Sequence, residues 1–193
     1  MSDIAILKDL LDPSMIACLQ EKQEGTHIRY SVILEEIQDN YSVSIRGMPN
    51  PDEVIIINAD KFKVIPHVFN GNKGEGKRAD FVIVANTNTE KIILCIELKK
   101  TKKSQDWIIK QLTGAKCFIV YCQALVKNFW KKQDFLDGYE YRFVTIGYIN
   151  TNKTTTRINN RKRDNSSTRE IHNSPEKMLK INYSNPLQFN RLI

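Results

Sequence analysis

Long hydrophobic runs, paired cysteines and an excess of acid are all missing from this sequence of 193 residues. Its N-terminus has no basic flank followed by an apolar stretch, and no later stretch approaches the roughly 20 apolar residues of a membrane-spanning helix. The four cysteines show no Cys-x-x-Cys spacing and no histidine at a zinc-ligand interval. We therefore expect a cytoplasmic protein with no membrane partner and with buried free thiols.

Basic residues and ordinary hydrophobic content are what the sequence does contain. A net charge of +7 favours a polyanionic partner, because neutralised phosphates release counterions, although many basic proteins bind no nucleic acid. Hydrophobic residues make up 41% of the chain and charged residues 26%, which excludes disorder of the whole chain. The length suits one packed core, so we predict a single domain over residues 1–193.

The N-terminal part of the chain alternates between apolar segments and glycine- or proline-rich breaks. Helical spacing of apolar residues in the first forty positions predicts two short helices, around residues 15–19 and 32–37. Residues 54–57 and 62–69 are predicted strands. The glycine-rich basic segment 71–78 lacks the Gly-Lys-Ser/Thr ending of a P-loop, so we interpret it as a flexible loop beside a site.

Two apolar runs, ADFVIVA and KIILCIEL, flank a polar, turn-prone segment and predict a β-hairpin. If the hairpin turns about Asn88-Thr89, Asp80 faces Glu97, and directly opposed side chains lie about 5 Å apart on one face. The two-residue period of a strand places Lys99 on that same face. The other face is expected to pack under a helix; it carries Phe81, Ile83, Ile96 and Leu98.

Asp80, Glu97 and Lys99 together are the candidate for chemistry. Two adjacent carboxylates repel each other, and a divalent cation would relieve that repulsion. Oxygen ligands without His or Cys favour Mg²⁺ or Mn²⁺, which would bind a phosphate oxygen and activate water, while Lys99 stabilises developing charge. The alternative is an exposed strand face with a surface pair between Lys99 and Asp80 worth about 0–1 kcal/mol. Two neighbouring features favour a metal site over this alternative. They are the basic run of Lys100, Lys102 and Lys103 and the helix predicted to follow it.

Apolar residues at alternating intervals of four and three predict one long helix over residues 104–127, with Ser104 as its N-cap. Its predicted buried stripe consists of Ile108, Leu112, Ala115, Ile119, Cys122 and Val126. A buried strand is predicted over residues 141–149. Residues 151–177 form a basic polar loop or arm, either solvated or in contact with nucleic acid, and include Arg161, Lys162 and Arg163. Residues 178–193 recover apolar side chains and are predicted to pack back on the core.

One motif of this sequence resembles that of the PD-(D/E)xK phosphodiesterase superfamily. It consists of Asp80, a spacer of sixteen residues, and then Glu97-Leu98-Lys99 followed by a predicted helix. The resemblance implies an α/β fold with a restriction-endonuclease-like core, a central mixed sheet flanked by helices in the order α-β-β-β-α-β, over about residues 20–150. It also implies Mg²⁺ ligation by Asp80, Glu97 and the backbone carbonyl of Leu98, with Lys99 positioning the attacking water. Ala79 stands where the family has proline, a position without a chemical role.

Other residues stay open under this resemblance. Many members add an acid from the first helix, for which Glu24, Glu35 and Glu36 compete, with Glu36 preferred. Some members place a glutamine on the helix after the lysine, which Gln111 matches; it is equally a polar residue beside the Leu112 stripe. The three histidines are interpreted as non-catalytic.

The implied activity is Mg²⁺-dependent hydrolysis of phosphodiester bonds, in DNA rather than RNA, in prokaryotic or phage defence, recombination or repair. The phosphate backbone would then be held by six basic residues, namely Lys100, Lys102, Lys103, Arg161, Lys162 and Arg163. A homodimer or a larger protein partner is left open. The competing reading is a catalytically inactive nucleic-acid- or protein-binding module on the same fold.

Overall fold

The computed structural model describes residues 1–37, 40–62, 68–101, 103–147, 171–182 and 186–193. Within them the α-helices are α1 (Asp3–Leu10) and α2 (Gln105–Phe129). The strands, in chain order, are β1 (Gln20–Glu24), β2 (His27–Glu36), β3 (Tyr41–Met48), β4 (Val54–Asn58), β5 (Phe81–Asn86), β6 (Lys91–Lys99), β7 (Glu140–Gly147), β8 (Leu179–Asn182) and β9 (Leu187–Gln188). The protein is therefore α/β.

Among the described residues, the strands form two mixed sheets. The larger sheet has the order β4-β5-β6-β7-β8, antiparallel from β4 to β6 and parallel from β6 to β8. The smaller sheet has the order β1-β2-β3-β9, antiparallel except for the parallel pair of β3 and β9. Parallel neighbours need a crossover connection, and α2 lies in the connection between β6 and β7.

The larger sheet is buried on both faces. One face packs under α1 and α2, through residues such as Ile4, Leu7, Val82, Cys95, Leu112 and Ile119. The other face packs against the smaller sheet, through residues such as Val32, Leu34, Phe81, Ile83, Ile96 and Leu98. The predicted helix over this second face is wrong, because the smaller sheet covers it and α2 covers the face of Val82 and Cys95. A strand buried on both sides carries no alternation that tells which neighbour covers which face.

The two helices predicted around residues 15–19 and 32–37 are also wrong. The α-helix of this region is α1, where the Ser2 side chain caps the first turn by accepting from the Ala5 N–H at 3.2 Å. Residues 32–36 belong to β2, in which Val32 and Leu34 are buried and Ile33 is 39% exposed. A short run of adjacent apolar residues fits either period, and pairing with β3 selects the strand.

Several other predictions are confirmed with adjusted ends. Residues 54–57 lie in β4, α2 contains the whole predicted stripe as buried residues, and Ser104 Oγ accepts from the Trp107 N–H at 3.3 Å. Strand β7 begins at Glu140, one residue before the start of the predicted strand 141–149. Residues 148–149 of that predicted strand lie outside the described residues. Of the predicted strand 62–69, residues 63–67 lie outside the described residues and the others adopt no strand.

In the C-terminal segment, Met178 is buried in the core under the helices, and Leu187, Phe189 and Leu192 are buried in the core between the sheets. The thiol prediction is half wrong: Cys95 and Cys122 are buried, whereas Cys18 and Cys117 are exposed. No helix in the described part of the chain has the length and apolar content to span a bilayer. Of the basic arm, residues 151–170 lie outside the described residues, including Arg161, Lys162 and Arg163.

Candidate active site

The β5–β6 hairpin has the register that the sequence predicts. Phe81 pairs with Ile96 and Val82 pairs with Cys95, and continuing this register by one residue sets Asp80 opposite Glu97. Both acids are buried: Asp80 is 7% exposed and Glu97 is fully buried. Burial excludes the alternative of a solvated strand face for Glu97.

Each carboxylate is held by the backbone of the other strand. Asp80 donates its backbone N–H to Glu97 Oε2 at 3.2 Å, and Leu98 donates its N–H to Asp80 Oδ2 at 2.6 Å. These bonds replace part of the hydration that buried carboxylates lose. The two acids therefore keep a defined position relative to each other and to the Leu98 peptide.

Lys99 lies between an acid and an aromatic ring. Its Nζ is 2.6 Å from Glu97 Oε1 and 4.2 Å from the ring centroid of Trp107, in the first turn of α2. An ammonium over an indole face is attracted by the quadrupole of the ring. Lys99 is thereby oriented by two groups, one on its own strand and one on the following helix.

The pKa values of both acids are raised. Burial raises the pKa of Asp80 to about 9, with a further contribution from the charge of Glu97, against the lowering effect of Lys99. Burial also raises the pKa of Glu97 to about 7, again opposed by Lys99. Ionisation of both acids together is therefore disfavoured in this site, unless a shared proton or an added cation compensates their charge.

The expectation that one of the three competing acids comes from a helix is wrong, because Glu24 lies on β1 and both Glu35 and Glu36 lie on β2. The charge of Glu36 contributes to the raised pKa of both Asp80 and Glu97, although less than burial does. Glu24 instead pairs with Lys22 at 3.2 Å and with Arg29 at 3.0 Å, and Glu35 is exposed. The preference for Glu36 stays a prediction.

Helix α2 holds the loop that leads into Asp80. Gln111 Oε1 accepts from the Arg78 backbone N–H at 3.0 Å. At Gly114, one turn further along α2, a Cβ would collide with the carbonyl group of Lys77. Gln111 thus positions the loop through a hydrogen bond to its backbone. Gly114 has no side chain, and this allows the loop backbone to approach α2 closely.

The predicted phosphate-binding lysines are only partly brought together. Lys103 lies with its Nζ 5.9 Å from the Trp107 ring centroid, and Lys77, which the sequence reading did not select, lies at 5.6 Å. Lys100 is exposed, and Lys102 lies outside the described residues. Trp107 is therefore surrounded by the ammonium groups of Lys77, Lys99 and Lys103.

Sequence reasoning missed Trp107 and Gly114. A signal for Gly114 exists, because a glycine inside a helix costs roughly 1 kcal/mol relative to alanine and so points to a close approach. Trp107 has no comparable signal, since only the tertiary structure brings its ring over Lys99.

Two of the three histidines lie within the described residues. His172 is buried and its Nε2–H donates to the carbonyl oxygen of Leu192 at 2.9 Å, while His27 is exposed on β2. His67 lies outside the described residues.

The donor set suits a hard divalent cation. Among the described residues no group of three or more His, Cys, Asp or Glu side chains is placed to hold a metal ion. Mg²⁺, however, is commonly held by one or two carboxylates, with water and substrate phosphate completing its shell. Asp80 and Glu97 supply two such carboxylates.

Comparisons with protein-family models, curated proteins and solved structures found no match for this chain.

Proposed function

We propose that this protein is a Mg²⁺-dependent nuclease of the PD-(D/E)xK class that hydrolyses phosphodiester bonds, in DNA rather than RNA. The observation that carries the proposal is the buried, opposed pair Asp80 and Glu97 with Lys99 paired to Glu97 at 2.6 Å. Desolvation and mutual repulsion make two neighbouring buried acids unfavourable for folding. Such pairs are therefore more typical of functional sites than of structural cores.

The electrostatics support a cation between these acids. The pKa of Asp80 is raised to about 9 and that of Glu97 to about 7 by burial, so bringing both to the ionised form at neutral pH needs a compensating positive charge. Bound Mg²⁺ would supply that charge, polarise a phosphoryl oxygen and lower the pKa of a water. Asp80, Glu97 and the Leu98 carbonyl would hold it.

Lys99 has the second chemical role in the proposal. Its ammonium, fixed by Glu97 and the Trp107 ring, would orient the attacking water and stabilise the negative charge that develops on the phosphate. Such pre-oriented charge costs little reorganisation during the reaction. Gln111 would act on the site through the Arg78 backbone, as a positioning residue.

The order of elements also supports the proposal. When only the two α-helices and the first four strands of the larger sheet are counted, the chain order is α1, β4, β5, β6, α2 and β7. Strands β1 to β3 lie between α1 and β4, and α1 precedes the predicted core of residues 20–150. This order is similar to the α-β-β-β-α-β core of the superfamily. A role in defence, recombination or repair, and a homodimer or larger partner, stay part of the proposal through that similarity.

The experiment is cleavage of labelled double-stranded DNA, single-stranded DNA and RNA with Mg²⁺ or Mn²⁺. The wild type is compared with Glu97→Gln and Lys99→Ala, and both variants are expected to lose activity by about 10²-fold or more. Lys91→Ala, an exposed lysine at the other end of β6, is the matched control and is expected to cleave like the wild type.

Thermal melts of each variant establish that the loss is chemical and not a loss of fold. Cleavage that survives in folded Glu97→Gln would contradict the proposed site. Binding of nucleic acid without cleavage under every metal condition would instead support the inactive binding module.

A further inference from the structure

An apolar groove of about 570 Å³ lies next to the loop that enters the site. Its walls include four aromatic rings and two cations, namely Phe62, Phe69, Phe118, Tyr121, Lys77 and Arg78. We refer to it as the aromatic groove. We propose that the aromatic groove binds an unpaired nucleobase, so that the substrate of the proposed nuclease is a single-stranded or frayed nucleic acid strand; this inference rests on the proposed function.

Three rings of the groove pack against one another at a tilt, with interplanar angles of 51° for Phe62 and Phe118 and 43° for Phe62 and Tyr121. Phe62 lies 5.0 Å from Phe118 and 6.1 Å from Tyr121 between ring centroids. Phe69 is 60% exposed and Tyr121 is 51% exposed, so both present ring area to an incoming molecule. Aromatic side chains bind single strands by stacking on bases, and every base has a π-face.

The charges of the groove fit a nucleotide. The guanidinium of Arg78 lies over Phe62 with its carbon 5.9 Å from the ring centroid, and its buried Nε has no hydrogen-bond partner among the described residues. Because Arg78 and Lys77 both line the groove, their positive charges would attract the phosphate of a bound nucleotide. The acid of the lining, Glu75, instead accepts from the Lys73 backbone N–H at 2.9 Å.

The groove is joined to the site by contacts on the same loop. Lys77 lines the groove and contacts the Trp107 ring, on which Lys99 also lies. Arg78 lines the groove two residues before Asp80, and its backbone is held by Gln111. A base in the groove would therefore place its flanking phosphates along the lysines that surround Trp107, beside Asp80 and Glu97.

An intact duplex does not suit this groove. Its base faces are covered by neighbouring bases, and its outer surface offers mainly sugar and phosphate. An unpaired base offers both a free face and a flexible backbone. DNA and RNA share this chemistry, so the experiment tests each.

The experiment measures binding without cleavage, by fluorescence anisotropy in EDTA. The probes are labelled oligothymidylate, oligouridylate and a blunt DNA duplex, each about 20 nucleotides long. The variants are Tyr121→Ala and Phe69→Ala, both at exposed positions, and Tyr121→Phe, which keeps the ring. Phe129→Ala is the matched control, because Phe129 is an aromatic residue on α2 that is 75% exposed and does not line the groove.

We expect the wild type to bind at least one single strand about tenfold more tightly than the duplex. Tyr121→Ala and Phe69→Ala should each weaken that binding about fivefold or more, while Tyr121→Phe and Phe129→Ala should bind like the wild type. Equal binding of duplex and single strand, absence of single-strand binding, or unchanged affinity in both alanine variants would overturn the proposal. Unchanged affinity is also the result expected if the groove receives a protein segment.

Cleavage assays with Mg²⁺ separate this inference from the proposed function. Single-strand binding that depends on Tyr121, without cleavage of any substrate, would leave the groove assignment standing and contradict the nuclease. Cleavage that is lost in Glu97→Gln but is equal for duplex and single strand would support the nuclease and contradict the groove assignment.

Discussion

Glu97 connects most of the candidate site through one side chain. One carboxylate oxygen accepts from the Asp80 N–H and the other pairs with Lys99, whose ammonium lies on the Trp107 ring. This chain of contacts links β5, β6 and the first turn of α2. Moving any one of these groups would disturb the others, because their contacts form one connected network.

The raised pKa values predict how stability depends on pH. Protonated Asp80 and Glu97 are favoured in the folded protein relative to the unfolded chain, because burial raises the pKa of each. Their stabilising contribution is therefore complete below the ordinary carboxyl pKa and is lost as the pH rises through about 7 and about 9. In EDTA, we expect the free energy of unfolding from urea titrations to fall between pH 5 and pH 9.

Asp80→Asn should reduce the decrease in the free energy of unfolding between pH 5 and pH 9 by about 1 kcal/mol or more. The amide cannot ionise, but its oxygen can still accept a hydrogen bond from the Leu98 N–H. Asp137→Asn is the control, since Asp137 is exposed in a turn, and it should follow the wild-type profile. A wild-type free energy of unfolding that stays level or rises over this interval would show that the acids are not coupled to folding in this way.

At the scale of elements, the hairpin and α2 act as one unit around the loop before Asp80. Strand pairing sets the opposition of Asp80 and Glu97, and α2 holds the loop at Gln111 and Gly114. The loop itself carries no helix or strand between Gly71 and Ala79, so its path depends on these contacts. The position of Asp80 is thus a product of packing between elements.

Gly114→Ala tests this contact. Alanine favours a helix by roughly 1 kcal/mol over glycine, yet its Cβ would meet the Lys77 carbonyl group. We expect a net loss of about 1–3 kcal/mol in the free energy of unfolding, measured by urea denaturation. The neighbouring Thr113→Ala, at an exposed position of α2, should change the same quantity by at most about 0.5 kcal/mol. A gain in stability for Gly114→Ala would refute the close approach.

At the scale of the whole molecule, the larger sheet is shared by two cores. Its residues alternate between the core under α1 and α2 and the core against the smaller sheet, as Val82 and Ile83 do on β5. A defect in either core therefore acts on the same strands. Within the described residues, we expect the two cores to unfold together.

Leu112→Ala in the helix-covered core and Leu34→Ala in the inter-sheet core test this expectation, since both leucines are fully buried. Each should cost about 2–5 kcal/mol and shift one common transition, followed by both far-ultraviolet circular dichroism and tryptophan fluorescence. Ile37→Ala, at a position 82% exposed, is the control and should shift neither signal appreciably. Separate transitions for the two probes would indicate independent cores.

The sequence alone determined the local features of this protein. Turn composition and apolar runs predicted the β5–β6 hairpin and its register, and the four-and-three spacing predicted the buried stripe of α2. These features depend on neighbours in the chain, so their signals lie within short windows. The opposition of Asp80 and Glu97 followed directly from that register.

Only the tertiary structure decided what covers each face of the hairpin, whether residues 32–36 form a helix or a strand, and which groups surround Lys99. Val32 and Leu34 fit either period until β3 pairs beside them, and the apolar run of β6 looks the same whichever layer packs on it. Trp107, Gly114 and Gln111 reach the loop and site only after α2 folds across the sheet. Contacts between residues distant in the chain depend on the whole set of packed layers, and no local pattern encodes them.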